Sequence, residues 1–209
     1  MIRPFRIGFS AFFSRVLFTM SRQIKLVLAT HNSHKQREMN AILSHLGIII
    51  VGLDDFPQIG EIEETGSTLL ENSLIKARTV HEITGLPSLA DDTGLEVDAL
   101  DGAPGVYSAR YAGNDPSFED NINKLLFELK GVPLEKRNAR FRTVISFVNG
   151  NEELISEGVI EGIIINGSRG ASGFGYDPIF QPNSYNKTFA EMGQDEKNLI
   201  SHRALALEK

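Results

Sequence analysis

Apolar residues gather in short runs between polar segments, and their spacing changes along the chain. Ile24-Lys25-Leu26-Val27-Leu28-Ala29 is mostly apolar and predicts a buried strand. Met39, Ile42, Leu43 and Leu46 recur at helical spacing over 35–46, and Gly47 supplies a stop. The β-branched run 48–51 predicts a second strand. Strand, helix, strand is the opening of an α/β layer.

Thr68 with Glu71 three positions on is a capping-box pattern. It predicts a helix to about Thr84, with Leu70, Leu74, Ala77 and His81 on one side, ended by Gly85 and Pro87. A short strand over 88–90 then runs into Asp91-Asp92-Thr93-Gly94, and 95–100 alternates into another strand. Residues 101–113 read as loop. A helix follows over 116–130, with Phe118, Ile122, Leu125, Leu126 and Leu129 inward. Alternation over 141–148, the Asn149-Gly150 turn and the return over 154–165 predict a hairpin. A glycine-rich loop covers 166–182, and a last helix covers 195–209. With no repeat and no linker, 23–209 reads as one cooperative unit.

Residues 1–22 stand apart. They hold Arg3, Arg6, Arg15 and Arg22, no acid, and a crowd of apolar residues. Such a segment resembles a targeting peptide; an upstream start codon before Met20 is the other reading. Elsewhere composition mainly excludes. No cysteine is present, which removes disulfides, thiolate zinc sites and thiol catalysis. A net charge of −6 without a long basic run argues against coating a nucleic-acid polymer. No apolar stretch is long enough to cross a bilayer. A cytoplasmic location is expected, with organellar targeting by 1–22 as the alternative.

Four polar clusters fall where strands end, the edge at which open α/β sheets take ligands. Thr30-x-Asn32-x-x-Lys35 sits at a helix N-terminus, where free N–H groups attract anions; a plain helix cap with an exposed lysine gives the same pattern. Glu63-Glu64-Thr65-Gly66, then Glu71, Asn72 and Lys76, puts acids before a helix, which is also favourable without any function. Asp91-Asp92 places two carboxylates side by side, a repulsion that a hard cation relieves; an exposed acidic turn is the other reading. Gly173-Phe174-Gly175-Tyr176-Asp177-Pro178 sets an aromatic ring between glycines, suited to stacking on a base or to a simple turn. Lys197, His202 and Arg203 share a broad face of the last helix, able to close over a ligand or to face solvent.

Together these segments resemble the Ham1 family, the inosine-triphosphate pyrophosphatases. The similarity runs in order through Thr30 to Lys35, Glu63 to Gly66, Ala90 to Leu95, Gly102 to Tyr111, Gly173 to Pro178, Lys197 and Ser201-His202-Arg203. The resemblance implies an elongated mixed β-sheet flanked by helices, two lobes with a central nucleotide cleft, and a homodimer. It implies magnesium, one ion per subunit, with manganese as the alternative, and a purine nucleoside triphosphate as substrate. By position, Thr30, His31, Asn32, Ser33, His34 and Lys35 would hold phosphates, with Lys76 nearby. Glu63 and Asp92 would hold the metal, and Asp92 would be the general base. Thr93, Phe174, Gly175, Tyr176 and Asp177 would contact the nucleotide, and Lys197, His202 and Arg203 would complete the base pocket. A Maf-like pyrophosphatase and a non-catalytic nucleotide sensor are the competing readings; the former lacks the Thr-x-Asn-x-x-Lys start and the Ser-His-Arg finish.

Overall fold

The computed structural model describes residues 24–209, so both readings of residues 1–22 lie outside the described residues. Strand β1 (Lys25–Leu28) leads into helix α1 (Ser33–Leu43), whose N-cap Asn32 accepts from the amides of His34 and Lys35. Strand β2 (Ile49–Val51) lies parallel to β1. Helix α2 (Leu69–Thr84) opens on the expected Thr68/Glu71 capping box and closes on left-handed Gly85. Then come β3 (Ser88–Val97), the two-residue β4 (Pro104–Gly105) and helix α3 (Phe118–Glu128). Strands β5 (Asn138–Asn149) and β6 (Glu152–Ile164) form the expected hairpin, followed by β7 (Phe180–Pro182). Helices α4 (Gln194–Asn198) and α5 (His202–Leu207) end the chain. The seven strands make one mixed sheet in the order β2-β1-β3-β5-β6-β7, with β4 beside β3.

Three apolar cores divide this sheet into two lobes. At one end, Leu28, Met39, Leu89, Phe147 and Leu207 pack α1 and α5 on one face. On the opposite face Val27, Ala77, Val80, Ala90 and Val148 pack α2. At the far end Leu95, Leu125, Phe141, Phe180 and Phe189 bury α3 and the segments around β7. Strands β3 and β5 pair without interruption from Ser88↔Val148 to Val97↔Ala139 and so run through both lobes. No helix among the described residues is long and apolar enough to cross a membrane.

Several local expectations are corrected. Residues 88–100 do not form two strands around an acidic loop: Asp91 and Asp92 lie mid-strand in β3, held there by the β5 ladder. The last helix is broken, because the Ser201 hydroxyl accepts from the Ala204 amide and starts a new one. Lys197 and His202-Arg203 therefore sit on different helices. The buried face of α2 is wider than expected and shifted: Ala77 is buried as expected, but Leu70 is exposed, while Asn72, Ser73 and Lys76 are buried. Phe118 is exposed as well, at the start of α3.

Helix α5 lies so close to β6 that a Cβ at Gly158 would overlap the backbone of His202 and Ala206. Gly158→Ala should therefore push α5 off the sheet, costing about 1–3 kcal/mol and lowering the thermal midpoint by about 2–12 °C. An unchanged midpoint in thermal denaturation would mean that the helix yields freely.

Candidate active site

Asp91 is fully buried and forms the hub of an ion cluster. Its Oδ2 accepts from Arg203 Nη2 at 2.8 Å and Nε at 3.2 Å, and from the Thr93 hydroxyl at 3.1 Å. Lys35 Nζ lies 3.2 Å from the same oxygen. Arg203 also pairs with Glu38, whose other oxygen takes Lys197 Nζ at 2.8 Å. Lys197 in turn donates to Asp177 at 2.6 Å. Three carboxylates (Glu38, Asp91, Asp177) thus meet three cations (Lys35, Lys197, Arg203), and the cluster is neutral. Burial alone would raise the Asp91 and Glu38 carboxyls. At Asp91, Lys35 and Arg203 overcome it and hold the group far below the usual range; at Glu38, Arg203 and Lys197 lower it.

A second cluster is unbalanced. Lys76 Nζ lies 2.7 Å from Glu64 and 3.3 Å from Asp92 Oδ1, and donates to the Asp91 carbonyl at 2.6 Å. Asn72 donates to Asp92 Oδ2 at 3.3 Å. Two carboxylates share one ammonium, so a negative charge is left over. Burial pushes the Asp92 carboxyl up, against the pull of Lys76 and Lys35. Glu63 does not take part: it is exposed and outside the cavity wall, while its neighbour Glu64 faces inward. The extended segment alternates in burial here, and the inward phase falls on 62, 64 and 66.

Both clusters border one cavity of about 290 Å³. Thr30, His31, Asn32, Lys35, Lys76, Asp92, Thr93, Phe174, Gly175, Tyr176, Asp177, Lys197, His202 and Arg203 all line it. Of the expected phosphate contacts, Ser33 and His34 do not. The Phe174 loop is shaped by Gly173, at φ 75°, and by the Phe174 amide donating to Asp177 at 2.9 Å. The Tyr176 hydroxyl ties the loop to the Ser108 carbonyl at 2.9 Å. His202 stacks on Phe141 with ring centroids 4.7 Å apart. Burial, then Arg203 and Lys197, lower its pKa far enough to keep it neutral, and its Nδ1 has no hydrogen-bond partner among the described residues.

Sequence reasoning missed Glu38, Glu64 and the hub role of Asp91. A lone glutamate on a short helix carries no signal for burial. Its partners Lys197 and Arg203 are 159 and 165 positions away. Among the described residues no group of three or more His, Asp or Glu forms a metal cage.

The sequence and the fold both have counterparts among known proteins. The model of the Ham1 family matches residues 26–209. A dITP/XTP pyrophosphatase of Geobacter sulfurreducens is 50% identical over 184 residues, which cover 88% of this chain and 92% of the relative. One from Porphyromonas gingivalis is 51% identical over 183 residues, covering 88% and 93%. The solved structure of a HAM1 protein from Coxiella burnetii superposes with a TM-score of 0.80 at 46% identity, covering 88% of this chain and 95% of that one. With nearly all of the described chain matched, the protein belongs to the Ham1 family.

Proposed function

We propose that the chain hydrolyses deaminated purine nucleoside triphosphates, among them ITP, dITP and XTP, to the monophosphate and pyrophosphate. The observation that carries this reading is the wall of one cavity. It combines Lys35 and Lys76 beside an excess of carboxylate with a glycine-flanked ring, a neutral buried histidine and a buried arginine. Ammonium groups suit phosphates; a ring with directed donors suits a purine. The relatives named for dITP and XTP support the same substrate class. A homodimer and a cytoplasmic location belong to this proposal.

One magnesium ion per subunit, or manganese in its place, is part of it too. Glu64 and Asp92 would hold the ion, since both reach toward Lys76 and carry the surplus charge. When bound it supplies neutralisation of the triphosphate and a template for its oxygens. The protein's own side chains do the rest. Lys35 and Lys76 bind the outer phosphates and the departing pyrophosphate. Asp92 orients a water against the α-phosphorus and accepts its proton on a carboxylate oxygen. The bond from the α-phosphorus to its bridging oxygen breaks, and pyrophosphate leaves. Before an ion binds, burial holds the Asp92 carboxyl above its ordinary range; the charge of the ion would lower it again, so that Asp92 would act as a carboxylate.

Selectivity would rest on His202 in the tautomer that turns its N–H to the base. That N–H meets the 6-oxo acceptor of hypoxanthine or xanthine. Adenine offers a 6-amino donor there, and two donors facing each other in a buried site are costly. Arg203 serves chiefly to hold the pocket, since its guanidinium is spent on Glu38, Asp91 and Thr93.

Three outcomes are expected. Asp92→Asn should lower pyrophosphate release from ITP by about 10²-fold or more with the fold retained by circular dichroism; ordinary turnover would remove Asp92 as the base. Because the ion and a proton compete for the Asp92 carboxylate, which burial raises, magnesium affinity should fall as the pH is lowered, and Lys76→Met, which removes a downward pull on Asp92, should move that fall to higher pH; a fall that stays put would detach it from Asp92. His202→Phe, which keeps a ring against Phe141, should cut the preference for ITP over ATP by about ten-fold; an unchanged ratio would place base recognition elsewhere.

A further inference from the structure

We propose that His34 is a positioning residue for the base-binding ring, acting on the purine through Phe174 and not on the phosphates. The inference rests on the reading of Phe174 as the surface on which the purine stacks. His34 sits one position before Lys35 in the turn assigned to phosphate, yet its side chain points elsewhere. Its amide is already taken by Asn32 Oδ1 at 2.9 Å. Its ring lies on Phe174, with centroids 5.0 Å apart and planes at 27°, a stacked pair.

The side of the stack decides its role. Phe174 lines the cavity and His34 does not. Lys197 Nζ and the Arg203 guanidinium, both in the cavity wall, lie over the Phe174 ring at 5.1 and 6.0 Å. His34 therefore meets Phe174 from outside the cavity wall. Phe118 at the start of α3 completes the group, edge-on to His34 at 6.0 Å and tilted to Phe174 at 6.1 Å. A phenyl ring has no donor or acceptor to fix its plane, and this one stands between two glycines with positive φ. Packing must fix it, and His34 is the broad flat contact that does so.

Arg37 fixes His34 in turn. Its Nη2 lies 2.8 Å from His34 Nδ1. A guanidinium only donates, so Nδ1 is the acceptor in this contact.

The test compares wild type, His34→Ala and His34→Phe on ITP, with inorganic tripolyphosphate as a competitive inhibitor that has no base. We expect His34→Ala to raise KM for ITP about three- to ten-fold. Its kcat should stay within about two-fold, and inhibition by tripolyphosphate should be unchanged. His34→Phe, which keeps the ring, should restore KM. An unaltered KM in His34→Ala, tripolyphosphate inhibition weakened in parallel, or a phenylalanine variant as impaired as the alanine one would each overturn the inference. If wild type releases no pyrophosphate from ITP, it is the proposed function that fails. ITP affinity by calorimetry then reads the inference: weaker binding in His34→Ala alone supports it, and equal binding in all three proteins overturns it.

Discussion

Arg203 is completely buried, and its charge is tolerable only because Glu38 and Asp91 are buried with it. An ion in a low-dielectric interior must be paired and hydrogen-bonded, or it destabilises the fold by several kcal/mol. This requirement sets much of the architecture. Glu38 comes from α1, Asp91 from the middle of β3 and Arg203 from α5, so one guanidinium pins three elements. Through Glu38 the constraint reaches Lys197, and through Lys197 it reaches Asp177 and the loop that carries Phe174. The ligand-facing groups are thus mutually placed before any ligand arrives, and such preorganisation strengthens electrostatic catalysis.

Beside this balanced cluster lies the unbalanced one. Glu64 and Asp92 share only Lys76, and the surplus negative charge faces the cavity. Consecutive residues of one strand are therefore placed differently: Asp91 gives its Oδ2 to fixed cations, its Oδ1 having no hydrogen-bond partner among the described residues, while Asp92 shares a single ammonium with Glu64. Nothing in the pair of letters distinguishes them. The distinction comes from which helix each side chain meets, α5 for the first and α2 for the second.

Much of the frame is legible in residue order. The capping box at Thr68, the Asn149-Gly150 turn and the strand–helix–strand opening all rest on contacts a few residues apart, and they appear where the pattern puts them. Strand β3 is the instructive exception. Two acids and a glycine argue against a continuous strand, but partners on β5 and cations from distant segments override that preference. Glu63 against Glu64 is a failure of phase: an extended loop offers no marker for which of two adjacent acids faces inward. The helix break was readable in principle, since Ser201 is a good N-cap residue. Glu38 was not, because its burial depends on residues at the other end of the chain.

The interruption at Ser201 has a consequence for how the molecule ages under stress. Asp91 and Asp92 are riveted into a ten-residue strand, whereas Lys197 and His202-Arg203 ride on helices of five and six residues at the chain's end. Arg203 also neutralises the buried Asp91, so loosening that helix would leave a bare charge inside β3 beside Asp92. Discrimination among bases and turnover should therefore fail together on heating, with no loosened state that still cleaves triphosphates.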